Sequence, residues 1–269
     1  MSPWLETLGV ILLTLLGALL GRFCSRLPKP WWMLGYFIPL LIIVLVGLPR
    51  LNRSLEFVPP ICWLVSGRTL FAVTGLVTAM STPLSRLSRK GDRRMVCVFL
   101  IFFVTYASVW PFFAPALNRR FQSSIVTQID KDGICQQSTD YNCGPAAAVT
   151  ALRKLGLPAE EGQIAILAHT STAIGTPPDI LCLALRKHYG PSGLKCEYRQ
   201  FKSTAELRNG GITLAVIKFG LLVDHYVAVL EVNDRAIIVG DPSRGKASYS
   251  HEEFSRKWRF IGVVLKKEP

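Results

Sequence analysis

The sequence predicts an all-α bundle of about four transmembrane helices followed by an α+β soluble domain. Three observations predict this. Long uncharged apolar runs are confined to residues 1–119, the charge pattern changes at the same boundary, and residues 120–269 carry a helix start and a strand–turn–strand pattern. The boundary falls at Asn118-Arg119-Arg120, giving regions 1–119 and 120–269.

The whole chain of 269 residues is 50% hydrophobic and only 18% charged, which excludes disorder, yet its formal charge is +13. Residues 1–119 hold 12 Lys/Arg and 3 acids, whereas residues 120–269 hold 19 and 15. The excess therefore belongs to the apolar region, where basic residues border spans. The second region has no basic stripe, which counts against nucleic acid as a partner.

The spans are read over about 4–21, 31–49, 57–80 and 95–118. Each approaches the roughly 20 apolar residues needed to cross a bilayer. The first is not read as a cleaved signal, because Glu6 stands where basic residues would and no A-x-A-like site follows. Arg68 interrupts the third and is read as facing the bundle or snorkelling, with no site assigned to it. Loops 22–30 and 81–94 carry eight Lys/Arg, against five on the opposite side. Basic loops mark the cytoplasmic face, so both termini, and the C-terminal domain, are expected outside a multi-pass cell membrane.

In the soluble region, Cys143-Gly144-Pro145 followed by Ala, Val, Leu and Lys reads as a helix opening at the cysteine. Asp140 and Asn142 are of the type that caps such a start. A thiol at the positive end of a helix dipole is favoured as thiolate. Gln137, six residues earlier, could pair its amide with the Cys143 N–H as two donors to an oxyanion, with Gln136 as the fallback. His225–Glu231 and Arg235–Gly240 read as a hairpin ending at Asp241. An odd-length loop of three or five residues centred on Asn233 would set His225 directly opposite Asp241. A two-residue turn would put them on opposite faces. A nucleophile, base, orienter and oxyanion donor would then be assembled.

At these residues the chain resembles the bacteriocin-processing, double-glycine leader cysteine peptidases, which are papain-like. The resemblance runs from about Cys135 to Leu265. It rests on Gln137, the CGPA of Cys143–Ala146, Gly175-Thr176, the stretch His225–Lys246 and HEEFSRKW from His251 to Trp258. It implies a papain-like domain in which Cys143 attacks a peptide carbonyl, His225 is its base, Asp241 orients His225 and Gln137 completes the oxyanion hole. In the family's best-known members this domain precedes an exporter's membrane domain and ATPase. Here apolar spans precede it and no G-x-x-x-x-G-K-[ST] occurs, so export would need a separate membrane partner. Asn142 stands where an Asp is common.

No cofactor and no metal are expected, since no Cys/His spacing suits zinc. His169, His188 and His251 read as surface or packing residues. Cys24, Cys62, Cys97 and Cys135 read as structural, and Cys182–Cys196 as a disulfide if the domain is extracytoplasmic. The function expected is a membrane-anchored cysteine peptidase acting on peptides or proteins at the membrane face, with the bilayer as its other partner. The alternatives are another thiol acyl transfer of amidase or transglutaminase type, or a non-catalytic peptide-binding subunit.

Overall fold

A computed structural model describes residues 3–59, 61–62, 68–84, 86–122, 125–170, 175–208, 211–220 and 223–268. It divides into two compact units, Met1–Leu51 with Leu55–Ala116, and Asn52–Ser54 with Leu117–Pro269.

The first unit is helical: α1 (Pro3–Arg26), α2 (Leu34–Gly47) and α3 (Arg68–Ser81), with α4 (Lys90–Gln122) beginning in it. Its small core is Val10, Val73 and Val77, with Ala18, Leu100, Phe103, Val104 and Ala107 packed against it. Gly17 and Gly21, one helical turn apart, let α1 lie directly on α3. A Cβ at Gly17 would come within 2.8 Å of Thr74 O, and one at Gly21 within 2.7 Å of Thr78 O and against Ser81 Oγ. Such small-x-x-x-small contacts suit helices that associate without a hydrophobic driving force. Arg86 joins the two basic loops, donating to Ser25 O at 3.1 Å and Leu27 O at 2.8 Å.

Among the described residues, one helix is long and apolar enough to cross a membrane, Thr7–Arg26, with mean hydropathy 2.0; Trp31–Leu45 and Phe71–Ser81 are shorter apolar helices. The run 57–80 is not one helix among the described residues. Arg53–Phe57 is a 3-10 turn, helix is present at residues 61–62 with Cys62 N–H donating to Val58 O at 3.1 Å, and α3 begins at Arg68. Residues 63–67 and the side chain of Arg68 lie outside the described residues.

The second unit is α+β. A short ladder joins β1 (Gln128–Ile129) to β2 (Cys135–Gln136). Helices α5 (Cys143–Lys154), α6 (Glu161–Leu167) and α7 (Pro178–Tyr189) follow. The main sheet comprises β3 (Leu194–Gln200), β4 (Ile212–Gly220), β5 (Val223–Val232), β6 (Ile237–Asp241), β7 (Gly245–Tyr249) and β8 (Trp258–Lys267), with α8 (His251–Lys257) before β8. All six strands pair antiparallel in the order β3-β8-β4-β5-β6-β7. Its core holds Phe201, Ile217, Val227, Val229, Ile237, Val239, Phe254 and Trp258.

Helix α5 is short-sided by composition. Ala146, Ala147, Ala148 and Ala151 are fully buried, so the helix axis can approach the sheet closely. It stops where Gly156 adopts φ +70, with Gly156 N–H donating to Arg153 O and Leu157 N–H to Leu152 O, a Schellman closure.

Gly21→Val should force α1 off α3, because the obstructing Thr78 O is backbone. We expect the full chain in detergent to lose about 1–3 kcal/mol of stability. A control at outward-facing Leu19 (Leu19→Val) should melt like the parent, and an equal loss in both would refute the packing role of Gly21.

Candidate active site

The site is built where α5 begins, beside the ends of β5 and β6. Pro145 lies in the first turn of α5, whose leading N–H groups have no intrahelical partner, so the ring costs no hydrogen bond. Gly144 is required by crowding: a Cβ there would meet Thr176 Cβ at 3.0 Å and Tyr226 Cδ2 at 3.4 Å. Tyr226 Oη donates to Thr176 O at 2.9 Å, which fixes the Gly175-Thr176 segment beside the helix start. Asn142 occupies the N-cap position but makes no side-chain cap; its Nδ2 donates to Ser138 Oγ at 3.2 Å instead. The expected capping role is therefore not observed, because the side chain is drawn into the loop that precedes it.

His225 and Asp241 meet as Nε2···Oδ1 at 2.8 Å, with the two residues 6% and 2% exposed. The register that brings them together differs from the expected one. Strand β5 pairs as Val232↔Ile237 and Glu231↔Ile238, then slips by one residue to Val229↔Val239 and Ala228↔Gly240. The loop between the strands is the four residues 233–236, an even number, with Asn233 N–H donating to Ala236 O at 3.0 Å. By itself that loop would put His225 and Asp241 on opposite faces. The β-bulge at Leu230 supplies the odd residue that restores the shared face. Continued from Ala228↔Gly240, the register sets Asp241 across from Val227, so the pair is diagonal rather than directly opposed.

Asp241 Oδ1 also accepts from Ser243 N–H at 2.8 Å and Ser243 Oγ–H at 2.7 Å, an Asx-type turn on the Asp-Pro-Ser step. Burial alone would raise this carboxyl, but the His225 and Ser243 donors hold it below the usual carboxylate range. Burial likewise opposes charge on His225, yet the hydrogen bonds with Asp241 and Cys143 push the imidazole up to about 9. With Nε2 taken by Asp241, Nδ1 is the nitrogen left for the Cys143 thiol. Phe219, 59% exposed, lays its ring 5.3 Å from the imidazole and screens it from water.

Gln137 is brought to the same place. Its backbone N–H donates to Pro242 O at 2.9 Å, and its side-chain Nε2 donates to Thr139 O at 3.0 Å, leaving a second amide hydrogen. Gln136 faces elsewhere, donating to Asp130 Oδ2 at 3.0 Å, so the fallback residue is committed outside the site. Cys135 is fully buried, and burial first, then the charge of Glu161, pushes its thiol up to about 12, which makes it inert as a nucleophile. His188 Nε2 meets Gln163 Nε2 at 3.1 Å, and His251 Nε2 meets Asn233 O at 2.8 Å. Among the described residues no group of His, Cys, Asp and Glu is arranged to hold a metal ion.

Sequence reasoning missed Glu161 and Ser138. Glu161 is fully buried, and its Oε1 accepts from Ser138 N–H at 3.0 Å and Ser138 Oγ–H at 2.8 Å. Its own N–H donates to Thr127 Oγ1 at 2.8 Å. The carboxyl thus anchors the loop between Gln137 and Cys143. The only local signal was an acidic pair, Glu160-Glu161, at a helix start, which ordinarily means a dipole partner. Glu161→Ala should strip Ser138 of its acceptor and destabilise the full chain by about 1–3 kcal/mol. Glu161→Gln, which keeps an acceptor oxygen, should recover most of that in thermal unfolding; equal losses would show that packing alone is at work.

A model of the peptidase C39 family matches residues 131–269. An uncharacterised protein of Methanothermobacter marburgensis is 33% identical over 135 residues, 50% of this chain and 89% of that one. The "probable functional amyloid protease FapD" of Pseudomonas aeruginosa is 27% identical over 135 residues, 49% of this chain and 58% of that one. The peptidase domain of Streptococcus ComA, a bi-functional ABC transporter, is 20% identical with a TM-score of 0.42, covering 54% of this chain and 98% of that one. With its matched residues filling the C-terminal half around Cys143, His225 and Asp241, the chain belongs to the peptidase C39 family and is a cysteine peptidase.

Proposed function

We propose that the chain is a membrane-anchored cysteine peptidase cleaving peptide or protein substrates at the membrane face, by a Cys143-His225-Asp241 mechanism with Gln137 as oxyanion donor. The observation that carries it is the buried 2.8 Å His225–Asp241 contact facing a thiol at a helix start. Cys143 Sγ, its proton held on His225, attacks the scissile carbonyl carbon. The oxyanion that forms accepts from Cys143 N–H and the second amide hydrogen of Gln137. His225 returns the proton to the departing amine, and a thioester remains. Water then attacks the thioester carbonyl, deprotonated by His225, and Sγ leaves. Asp241 stays ionised throughout and holds the imidazole by Nε2.

The membrane anchor, read as four spans with both termini outside, is supported by the outer faces of α1 and α4. Leu12, Leu15, Leu16 and Leu19, and Met95, Val98, Ile101 and Phe102, are each more than half exposed. Helical stripes of that kind fit a lipid solvent and not water. The Arg86 bonds to Ser25 O and Leu27 O are consistent with both basic loops facing the same, cytoplasmic, side.

A thiol-reactive acyl probe should label the parent and not Cys143→Ala. Turnover should fall roughly 10²–10³-fold in Gln137→Ala and fall in Asp241→Asn with the fold intact. Products should carry new free amino termini. Released ammonia or a cross-link would replace peptide hydrolysis with another acyl transfer, and parental rates in Asp241→Asn would sink the triad. For the anchor, a reporter fused after Pro269 should read as extracytoplasmic; a cytosolic signal would overturn the four-span orientation.

A further inference from the structure

Two thiols that the peptidase mechanism does not use meet inside the C-terminal unit. Cys182 lies on α7, and Cys196 is the third residue of β3; both are buried, and their sulfurs are 2.9 Å apart. Arg186, one turn beyond Cys182, is clamped beside them. Its Nε and Nη2 donate to Cys196 O at 3.1 and 2.6 Å, and Nη2 lies 3.9 Å from Cys182 Sγ.

The two sulfurs are chemically unequal. The hydrogen bond from Cys196 lowers the Cys182 thiol and outweighs burial, with the Arg186 guanidinium adding to the effect. The same contact, with burial, raises Cys196. The Arg186 guanidinium, 3.9 Å from Cys182 Sγ, favours negative charge on that sulfur, and the 2.9 Å contact holds Cys196 in reach of it, so Cys182 is assigned as the attacking sulfur and Cys196 as the resolving one. An open groove whose lining includes Arg186, Cys196, Glu197, Arg199, Glu206 and Lys266 reaches Cys196 of the pair.

Position gives the pair a purpose. Strand β3 is at the edge of the sheet, and among the described residues β8 is the strand it pairs with. Edge strands are where a sheet opens most readily. A covalent tie from α7 would hold this edge from the layer beneath.

We propose that Cys182 and Cys196 are a disulfide-forming pair that fastens α7 to the edge strand β3. The oxidant is a small disulfide of the glutathione class. Cys182 thiolate attacks one sulfur of that disulfide, whose S–S bond breaks and expels one thiolate with the electron pair. That thiolate takes the Cys196 proton. Cys196 then attacks Cys182 Sγ, forming the protein disulfide and expelling the second thiolate, which is protonated by solvent. Two protein thiols are oxidised and one disulfide is reduced to two thiols. The inference concerns the chemistry of the pair and stands apart from the side of the membrane the unit faces and from the peptidase mechanism.

The test uses the full chain in detergent, reduced, freed of reductant, exposed to oxidised glutathione, then denatured with N-ethylmaleimide. Tryptic mapping should recover fragment 155–186 joined to fragment 196–199. Both cysteines recovered as maleimide adducts, persistent glutathione adducts, or a link from either to Cys135 or Cys143 would overturn the proposal. Adding reductant to the oxidised parent should lower Tm by about 6–12 °C, the effect of opening a loop of roughly 15 residues in a unit of this size. Cys196→Ser should show no reductant-dependent shift. A linked parent whose Tm ignores reductant would remove the fastening role.

Discussion

An imidazole and a carboxylate removed from water must satisfy each other, and the C-terminal unit is arranged around that demand. His225 and Asp241 lie at the end of the row that, further along the same sheet face, becomes Val227, Val229, Ile237 and Val239. They are in effect core positions filled with polar groups. Such groups are tolerated when every strong hydrogen-bonding atom finds a partner. Asp241 Oδ1 receives three donors, and its neighbour Pro242 accepts the Gln137 N–H. The bond that steadies the proposed base, His225, is thus continuous with the one that places the proposed oxyanion donor. The proposed nucleophile, Cys143, arrives from a different layer, carried by a helix whose alanines allow it to sit close.

How much of this was legible differs from piece to piece, for physical reasons. The start of α5 was legible because its signals are local: a glycine, a proline and an alanine run in sequence order. The His225–Asp241 encounter was legible as a shared face but not as a register, because the Leu230 bulge leaves no mark in residue type. Asn142 has the right chemistry for a cap and a better offer from Ser138, which only tertiary contact reveals. Glu161 was invisible for the same reason. In the first unit the apolar runs announce helices, yet the seating of Gly17 and Gly21 on α3 depends on which helix lies against which.

The two units distribute their apolar side chains differently. The second buries most of its branched and aromatic residues and gives its buried carboxylates Asp241 and Glu161 hydrogen-bond donors. The first turns many large apolar side chains outward and, beside its small valine core, brings α1 onto α3 through glycine, threonine and serine.

The bulge in β5 has a consequence for how such a hairpin can vary. The distal loop, 233–236, and the His225–Asp241 end of the strands are linked by parity alone. Lengthening the loop by two residues preserves the facing of His225 and Asp241, whereas a one-residue change anywhere between them reverses it unless a second one-residue change compensates. Leu230 needs no particular side chain to do this. What the hairpin must keep is a count, and a substitution-tolerant stretch can be intolerant of a single deletion.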